Sequence, residues 1–199
     1  MSLAEPRNIA APRLPIGPQF SFYRMPVTNT IPYRNITLYD VYKYLTGDYA
    51  KKQTEILRTI TDKSAARAYK GKNFDTVTFA GMFKNRDDAS IIHPSDLLCL
   101  DLDHVPNVQM YRQLLLADPE FETALMFTSP SGDGIKWVVT IKTDCHTYDQ
   151  VFTAVSNYMK ATYGLTPDPA CRNISRACYL PHDPEAYLNP KYLPFNVIQ

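Results

Sequence analysis

The chain has 199 residues, of which 45% are hydrophobic and 21% charged, and its formal net charge at pH 7 is +1. A chain of this length and apolar content is expected to fold around one sizeable core. The near-neutral charge excludes a basic field over the whole surface, so any contact with nucleic acid must use a local patch.

The N-terminal third of the chain is predicted to hold an extended arm and a helical annex. Residues 1–19 contain four prolines and little periodicity, which is typical of an extended arm. A short strand is expected at 20–24, and apolar residues recur at helical spacing in 38–45 and 49–62. We therefore expect residues 20–70 to form a helical annex of the same domain.

One cluster of basic residues is a candidate for the local patch. Its members are Lys51, Lys52, Arg58, Lys63, Arg67, Lys70 and Lys72. The acidic residues Glu55 and Asp62 interleave with them, so a solvated helix face is favoured over a nucleic-acid surface.

The rest of the chain alternates strands and helices. After a strand at 74–79, we expect strands at 96–103, 123–128, 135–141 and 174–180 and helices at 108–116 and 148–163. From residue 96 the order is strand, helix, strand, strand, helix, strand, which is typical of the α+β class.

Two aspartates close the apolar strand expected at 96–103. Successive side chains of a strand alternate between its faces, so Asp101 and Asp103 point the same way and Leu100 and Leu102 the other. Neighbouring carboxylates repel each other and are costly to bury unless a cation lies between them. Hard oxygen ligands suit Mg²⁺ or Mn²⁺. The alternative is a strand end with two solvated acids.

A glycine turn follows between two apolar strands. Gly132 and Gly134 allow positive φ and a close backbone approach, so the turn could present N–H groups to an anion. Ser129 and Ser131 add hydroxyl donors, and Lys136 could reach a phosphate from the next strand. The alternative is an ordinary hairpin with an exposed lysine.

A third polar segment spans residues 168–184. Asp168 could complete a site of three carboxylates, and Arg172, Arg176 and His182 could bind phosphate or sugar. The alternative is that Asp168 and Asp183, each followed by proline, only initiate turns. Asp183 also remains a rival for the third carboxylate.

These segments, in this order, resemble the catalytic core of the archaeo-eukaryotic primase superfamily. They are most similar to the VirE N-terminal-type, primase-like domain of bacterial mobile-element proteins. The resemblance rests on Asp101-Leu102-Asp103, on the Ser-Gly-Asp-Gly-Ile-Lys motif at 131–136, and on Asp168 followed by the Arg-to-Pro segment at 176–181. It covers roughly residues 70–190, and it implies an RRM-like primase-polymerase core in residues 71–199.

The resemblance also implies roles for individual residues. Asp101, Asp103 and Asp168 would be the catalytic metal ligands for Mg²⁺ or Mn²⁺. The nucleotide would be bound by Ser129, Ser131, Gly132, Gly134, Lys136, Arg176 and His182. Lys136 stands where many primases carry histidine. A lysine can hold a triphosphate, but any step that needs a neutral imidazole comes into doubt.

The implied function is nucleotide joining on a nucleic-acid template by a two-metal mechanism in mobile-element DNA replication. Its partners would be nucleoside triphosphates, a single-stranded DNA template and a helicase domain or protein. Two alternatives stay open: a non-catalytic nucleotide or single-stranded nucleic-acid binding module serving a helicase, and a metal-dependent phosphoesterase. The sequence has no apolar stretch of about 18 residues and no recognisable signal peptide, so we expect a cytoplasmic protein without a membrane partner.

Overall fold

The computed structural model describes residues 17–143 and 145–194. The predicted arm therefore lies outside the described residues up to residue 16. The described residues form five α-helices and antiparallel sheets, which confirms the expected mixture of helices and strands. None of these helices is both long and apolar enough to cross a membrane.

Strands outnumber helices in the described part of the chain. The strands are β1 (Gln19–Tyr23), β2 (Arg34–Thr37), β3 (Thr76–Thr78), β4 (Gly81–Phe83), β5 (Ile91–Pro94), β6 (Leu97–Leu102), β7 (Thr123–Thr128), β8 (Ile135–Thr140), β9 (Cys178–Tyr179) and β10 (Tyr187–Leu188). The helices are α1 (Leu38–Thr46), α2 (Lys51–Thr59), α3 (Lys63–Asn73), α4 (Val108–Leu116) and α5 (Tyr148–Tyr163).

Two four-stranded antiparallel sheets organise the molecule. The first has the order β2-β1-β3-β9 and the second the order β10-β7-β8-β6, while β4 and β5 form a separate hairpin. In the second sheet the register places Asp101 of β6 opposite Lys136 of β8. The carboxyl end of β6 therefore lies beside the start of β8, where the glycine turn ends.

The second sheet has a different partner on each face. Leu98, Leu100 and Leu102 of β6 face Leu115 of α4 and the apolar side chains of α5 in one cluster. Leu97, on the opposite face of β6, packs with the first sheet and with α1 in another cluster. This alternation confirms that Leu100 and Leu102 point away from the two aspartates. The polar groups of the candidate site thus lie on the face opposite α4 and α5.

Local periodicity predicts several elements correctly. The helices at 108–116 and 148–163 and the strand at 123–128 match α4, α5 and β7 from end to end. The helix predicted at 49–62 is shorter, since α2 ends at Thr59. Asp62 instead caps α3, which was not predicted, by accepting the N–H of Ala65. The annex at 20–70 also contains β1 and β2, of which β2 was not predicted.

The predicted strand at 174–180 is largely wrong. Only β9 remains of it, and β9 pairs with β3 in the first sheet. Asp168 caps a short 3₁₀ helix at Pro169–Arg172, and the side chain of Asn173 accepts the N–H of Ser175. These local hydrogen bonds turn the chain before it can extend.

Candidate metal and nucleotide site

The end of β6 gathers three carboxylates. Asp101, Asp103 and Asp168 each offer one oxygen, and these oxygens all lie within 4.8 Å of one another. Asp101 and Asp168 are partly buried, whereas Asp103 is exposed. The predicted pair on β6 is thus joined by Asp168, the carboxylate that the resemblance assigns as the third ligand.

Backbone and side-chain contacts hold Asp168 in this position. Its N–H donates to the carbonyl oxygen of Asp101 at 2.8 Å. Its Oδ1 accepts the N–H of Ala170 at 2.9 Å, and its Oδ2 accepts a hydrogen bond from Arg176 at 2.9 Å. Asp168 therefore initiates a turn, as the alternative interpretation predicted, and also lies in the carboxylate cluster.

Lys136 forms a buried ion pair with Asp101. The two residues face each other across β6 and β8, and the ammonium contacts Oδ2 of the carboxylate. Their side chains are only 9% and 14% exposed. Burial disfavours the charged amine, but the Asp101 carboxylate outweighs this effect and raises the pKa of Lys136. The lysine is therefore a permanent cation bound to Asp101, and not an exposed hairpin lysine.

The three carboxylates fit a hard divalent cation. Oδ1 of Asp101 is buried and has no hydrogen-bond partner among the described residues, although a buried carboxylate oxygen normally has one. Partial burial and repulsion from Asp101 raise the pKa of Asp103. A cation held between the oxygens would give Oδ1 of Asp101 a partner and would offset the repulsion between the carboxylates of Asp101 and Asp103. These residues could therefore hold a divalent ion, and carboxylate oxygens suit Mg²⁺ and Mn²⁺.

The glycine turn is stabilised mainly by its own contacts. Ser129 is buried, and its hydroxyl oxygen accepts the N–H of Gly134 at 3.1 Å. The N–H of Gly132 donates to the carbonyl oxygen of Ser129 at 2.9 Å. Two of the N–H groups expected to bind an anion are thus already paired within the turn. Ser131 remains at the cleft surface, where its hydroxyl donates to Asp133 at 2.7 Å.

Both glycines are required by geometry. Gly132 has a φ of +90°, which other residues rarely adopt. A Cβ on Gly134 would lie 2.5 Å from the carbonyl oxygen of Leu102, so glycine lets the turn approach the end of β6. The guanidinium of Arg58 on α2 donates to the carbonyl oxygen of Pro130 at 3.3 Å. The annex and the turn are therefore in direct contact.

A large cleft opens beside the carboxylates. Its volume is about 1000 Å³, and Asp168, Ser131, Asp133 and His104 lie on its wall. Six further lining residues are cationic: Lys63, Arg67, Lys70, Arg86, Arg172 and Arg176. Arg176 and Arg172 were candidates from the sequence, and the structure places both on this wall.

Three members of the basic cluster named from the sequence lie on α3 and line this cleft. Lys63, Arg67 and Lys70 all lie along one face of the helix, at the spacing of successive turns. Burial and repulsion from Lys136 lower the pKa of Lys70, which also feels the charges of Asp101 and Asp103. The spacing was visible in the sequence, but the favoured interpretation was a solvated helix face.

One residue from the third polar segment, His182, lies elsewhere. The N–H of His182 donates to the hydroxyl of Thr54 at 2.9 Å, and its Nδ1 lies 2.8 Å from the carbonyl oxygen of Gly47. His182 is not among the described residues that line the cleft, so the structure does not bring it to the place where nucleotide was expected to bind.

Asp183 lies in a buried ion pair and not in the carboxylate cluster of the described residues. It is buried and pairs with Arg112 at 3.5 Å, and its Oδ2 accepts the N–H of Thr128 at 2.6 Å. The carboxylate cluster in the described residues contains Asp168 and not Asp183.

Comparison with known proteins places the chain in a family. The family described as BT4734-like, N-terminal domain matches residues 69–188, which is more than half of the chain. This range contains all three carboxylates, Lys136 and Lys70, whereas Lys63 and Arg67 precede it. No curated protein and no solved structure matches the chain. The chain belongs to the BT4734-like, N-terminal domain family.

Proposed function

We propose that this protein is a primase-polymerase-like nucleotidyltransferase that joins nucleotides on a single-stranded DNA template. The observation that carries the proposal is the cluster of Asp101, Asp103 and Asp168 at the edge of a cleft with six cationic lining residues. Metal-dependent transfer of a nucleotide needs both features, because carboxylates bind the ion and cations bind the phosphates. From the resemblance to primases, we also propose a role in mobile-element DNA replication beside a helicase.

The arrangement of the second sheet supports the proposal. The segment from β6 to α5 has the order strand, helix, strand, strand, helix, and its strands lie in the order β7-β8-β6 with both helices on one face. An RRM-like primase core has this arrangement and carries its carboxylates on the opposite sheet face. At the free edge of β6, the backbone hydrogen bond from Asp168 stands where such a core would have a fourth strand.

The protein groups divide into ligands and phosphate-binding cations. Asp101, Asp103 and Asp168 would hold Mg²⁺ or Mn²⁺, which would activate an attacking 3′-hydroxyl and neutralise charge on the triphosphate. Lys70 and Arg176 line the cleft next to these carboxylates and would bind the triphosphate. Lys136 is bound to Asp101, so we assign it to the carboxylate site and not to direct phosphate contact.

A nucleic-acid strand would follow the basic wall of the cleft. Lys63 and Arg67 extend the α3 face away from Lys70, and Arg86 and Arg172 add charge from other segments. Such a track binds a phosphate backbone without reading its sequence. The near-neutral net charge is compatible with this role because the cations are concentrated on one surface.

The test is template-directed incorporation of a labelled nucleotide in the presence of Mn²⁺, with the Asp103→Asn variant. Asp103 is preferable to Asp101 because it is exposed, whereas loss of Asp101 would leave the buried Lys136 ammonium unpaired. We expect incorporation to fall by about a hundredfold or more, since a metal ligand contributes several kcal/mol to transition-state stabilisation. The matched control is Asp48→Asn, at an exposed carboxylate outside the cleft.

The same assay separates the alternative functions. If the wild type incorporates nucleotide and Asp103→Asn does so equally well, the assignment of the metal site is wrong. Binding of single-stranded DNA without incorporation, unaffected by chelator, would instead support a non-catalytic module. Release of phosphate or pyrophosphate from nucleotide without template would support a phosphoesterase.

A further inference from the structure

We propose that the carboxylate site holds a single divalent ion and that the Lys136 ammonium takes the place of a second ion. The inference rests on the proposed function and differs in one respect from the two-metal mechanism that the resemblance to primases implies. It assigns Lys136 the role of a fixed cation that stabilises negative charge at the site.

Strand register determines the position of Lys136. Asp101 and Lys136 are directly opposite in the β6–β8 ladder, and neighbouring pairs on both sides keep the same register. Directly opposite residues on one sheet face have adjacent side chains. The Lys136 side chain is only 9% exposed, and its ammonium contacts the Asp101 carboxylate. The ammonium is therefore a built-in part of the site.

Bridging a pair of ions would compete with contacts that Asp101 and Asp168 already make. Paired metal ions lie about 3.5–4 Å apart, so a carboxylate that bridges them must give one oxygen to each. Oδ2 of Asp101 is bound to Lys136, which leaves only its buried Oδ1. Both oxygens of Asp168 also accept hydrogen bonds, one from Ala170 and one from Arg176. Asp101 cannot give one oxygen to each ion without loosening its contact with Lys136, and Asp168 would have to bind through oxygens that already accept hydrogen bonds.

The charge of the cluster leads to the same conclusion. Three carboxylates face two cations that contact them directly, Lys136 on Asp101 and Arg176 on Asp168. One divalent ion already makes this group net positive. A second ion would meet repulsion from the first ion and from the ammonium in a partly desolvated site. Lys70, at the same cavity, adds further positive charge.

The experiment counts Mn²⁺ bound to the full chain without nucleotide, by equilibrium dialysis with metal analysis. Electron paramagnetic resonance of the same samples distinguishes isolated ions from magnetically coupled pairs. The variants are Lys136→Met, which removes the ammonium, and Lys72→Met as the matched control. Lys72 is exposed on α3 and does not line the cleft.

We expect one isolated ion for the wild type and for Lys72→Met, and two coupled ions for Lys136→Met. Two ions in the wild type would overturn the role of Lys136 and leave the proposed function intact. No ion in the wild type would overturn the metal-dependent function and this inference together. A folded Lys136→Met variant that still binds one ion would also overturn the inference. If Lys136→Met does not fold, the number of Mn²⁺ ions bound by the wild type still decides whether the site holds one ion or two.

Discussion

The backbone N–H of Asp168 donates a hydrogen bond to the carbonyl oxygen of Asp101, with a distance of 2.8 Å. This contact joins the 3₁₀ segment to the free edge of β6 and brings a third carboxylate to the pair on that strand. Asp183, the other aspartate before a proline in this segment, lies instead in a buried ion pair with Arg112. The two aspartates therefore have different roles, and substitution can separate them.

The first prediction contrasts Asp168→Asn with Asp183→Asn. Loss of the Asp168 charge should weaken Mn²⁺ binding by about tenfold or more, because a ligand and its pairing with Arg176 are both removed. Asp183→Asn should lower the free energy of unfolding by about 3–5 kcal/mol, since it leaves Arg112 buried without its counter-charge. Mn²⁺ titration and urea unfolding measure the two effects. If folded Asp183→Asn binds Mn²⁺ more weakly than the wild type, the assignment of Asp168 rather than Asp183 as the third metal ligand is wrong.

The second prediction concerns Asp103 and pH. Partial burial of its carboxyl group and the charge of Asp101 raise the pKa of Asp103 in the folded protein, so the folded state binds the proton more tightly than the unfolded state. The raised pKa lowers the free energy of unfolding once the carboxyl group ionises. This loss of stability is absent at low pH, grows as pH rises from the pKa of Asp103 in the unfolded state to its pKa in the folded state, and is constant above that range.

Asp103→Asn should therefore increase the metal-free stability near neutral pH. Because the residue is exposed, we expect the gain to stay below about 1 kcal/mol. Urea unfolding of both proteins at about pH 7 and about pH 3 measures it. A variant that is less stable than wild type at neutral pH would contradict the proposed repulsion.

The third prediction compares two glycines. Gly134→Ala should destabilise the protein by about 1–3 kcal/mol, because the new Cβ would lie 2.5 Å from the carbonyl oxygen of Leu102. The end of β6, which leads into Asp103, would have to move, so Mn²⁺ binding should weaken as well. Gly71→Ala should instead stabilise α3 by about 0.5–1 kcal/mol, since its Cβ would make an ordinary contact with Val27. Thermal unfolding of both variants checks the signs.

The fourth prediction tests the basic face of α3 with Lys63→Met and Lys72→Met. Both residues are lysines on the same helix, but only Lys63 lines the cleft. Lys63→Met should weaken binding of single-stranded DNA and reduce the slope of log affinity against log salt by about 0.7 if Lys63 contacts one phosphate. Lys72→Met should change neither quantity. Fluorescence anisotropy over a range of salt measures both, and equal effects of the two variants would rule out the α3 face as the binding track.

Local patterns in the sequence predicted much of the second sheet. Alternation along β6 placed Asp101 and Asp103 on one face, because the side-chain period of a strand does not depend on its partners. Helical periodicity and capping similarly located α4 and α5. The segment after Asp168 was misassigned, because side-chain hydrogen bonds from Asp168 and Asn173 outweighed the apolar content of 174–180.

The sequence by itself determined which chemical groups are available: four candidate carboxylates, a glycine turn followed by a lysine, and basic residues at helical spacing. Only the tertiary structure decided which of them meet. Strand register paired Lys136 with Asp101, one backbone hydrogen bond selected Asp168 over Asp183, and packing of the annex turned α3 towards the cleft. These contacts join residues far apart in the chain, so they depend on the packing of whole elements, which short-range patterns do not specify.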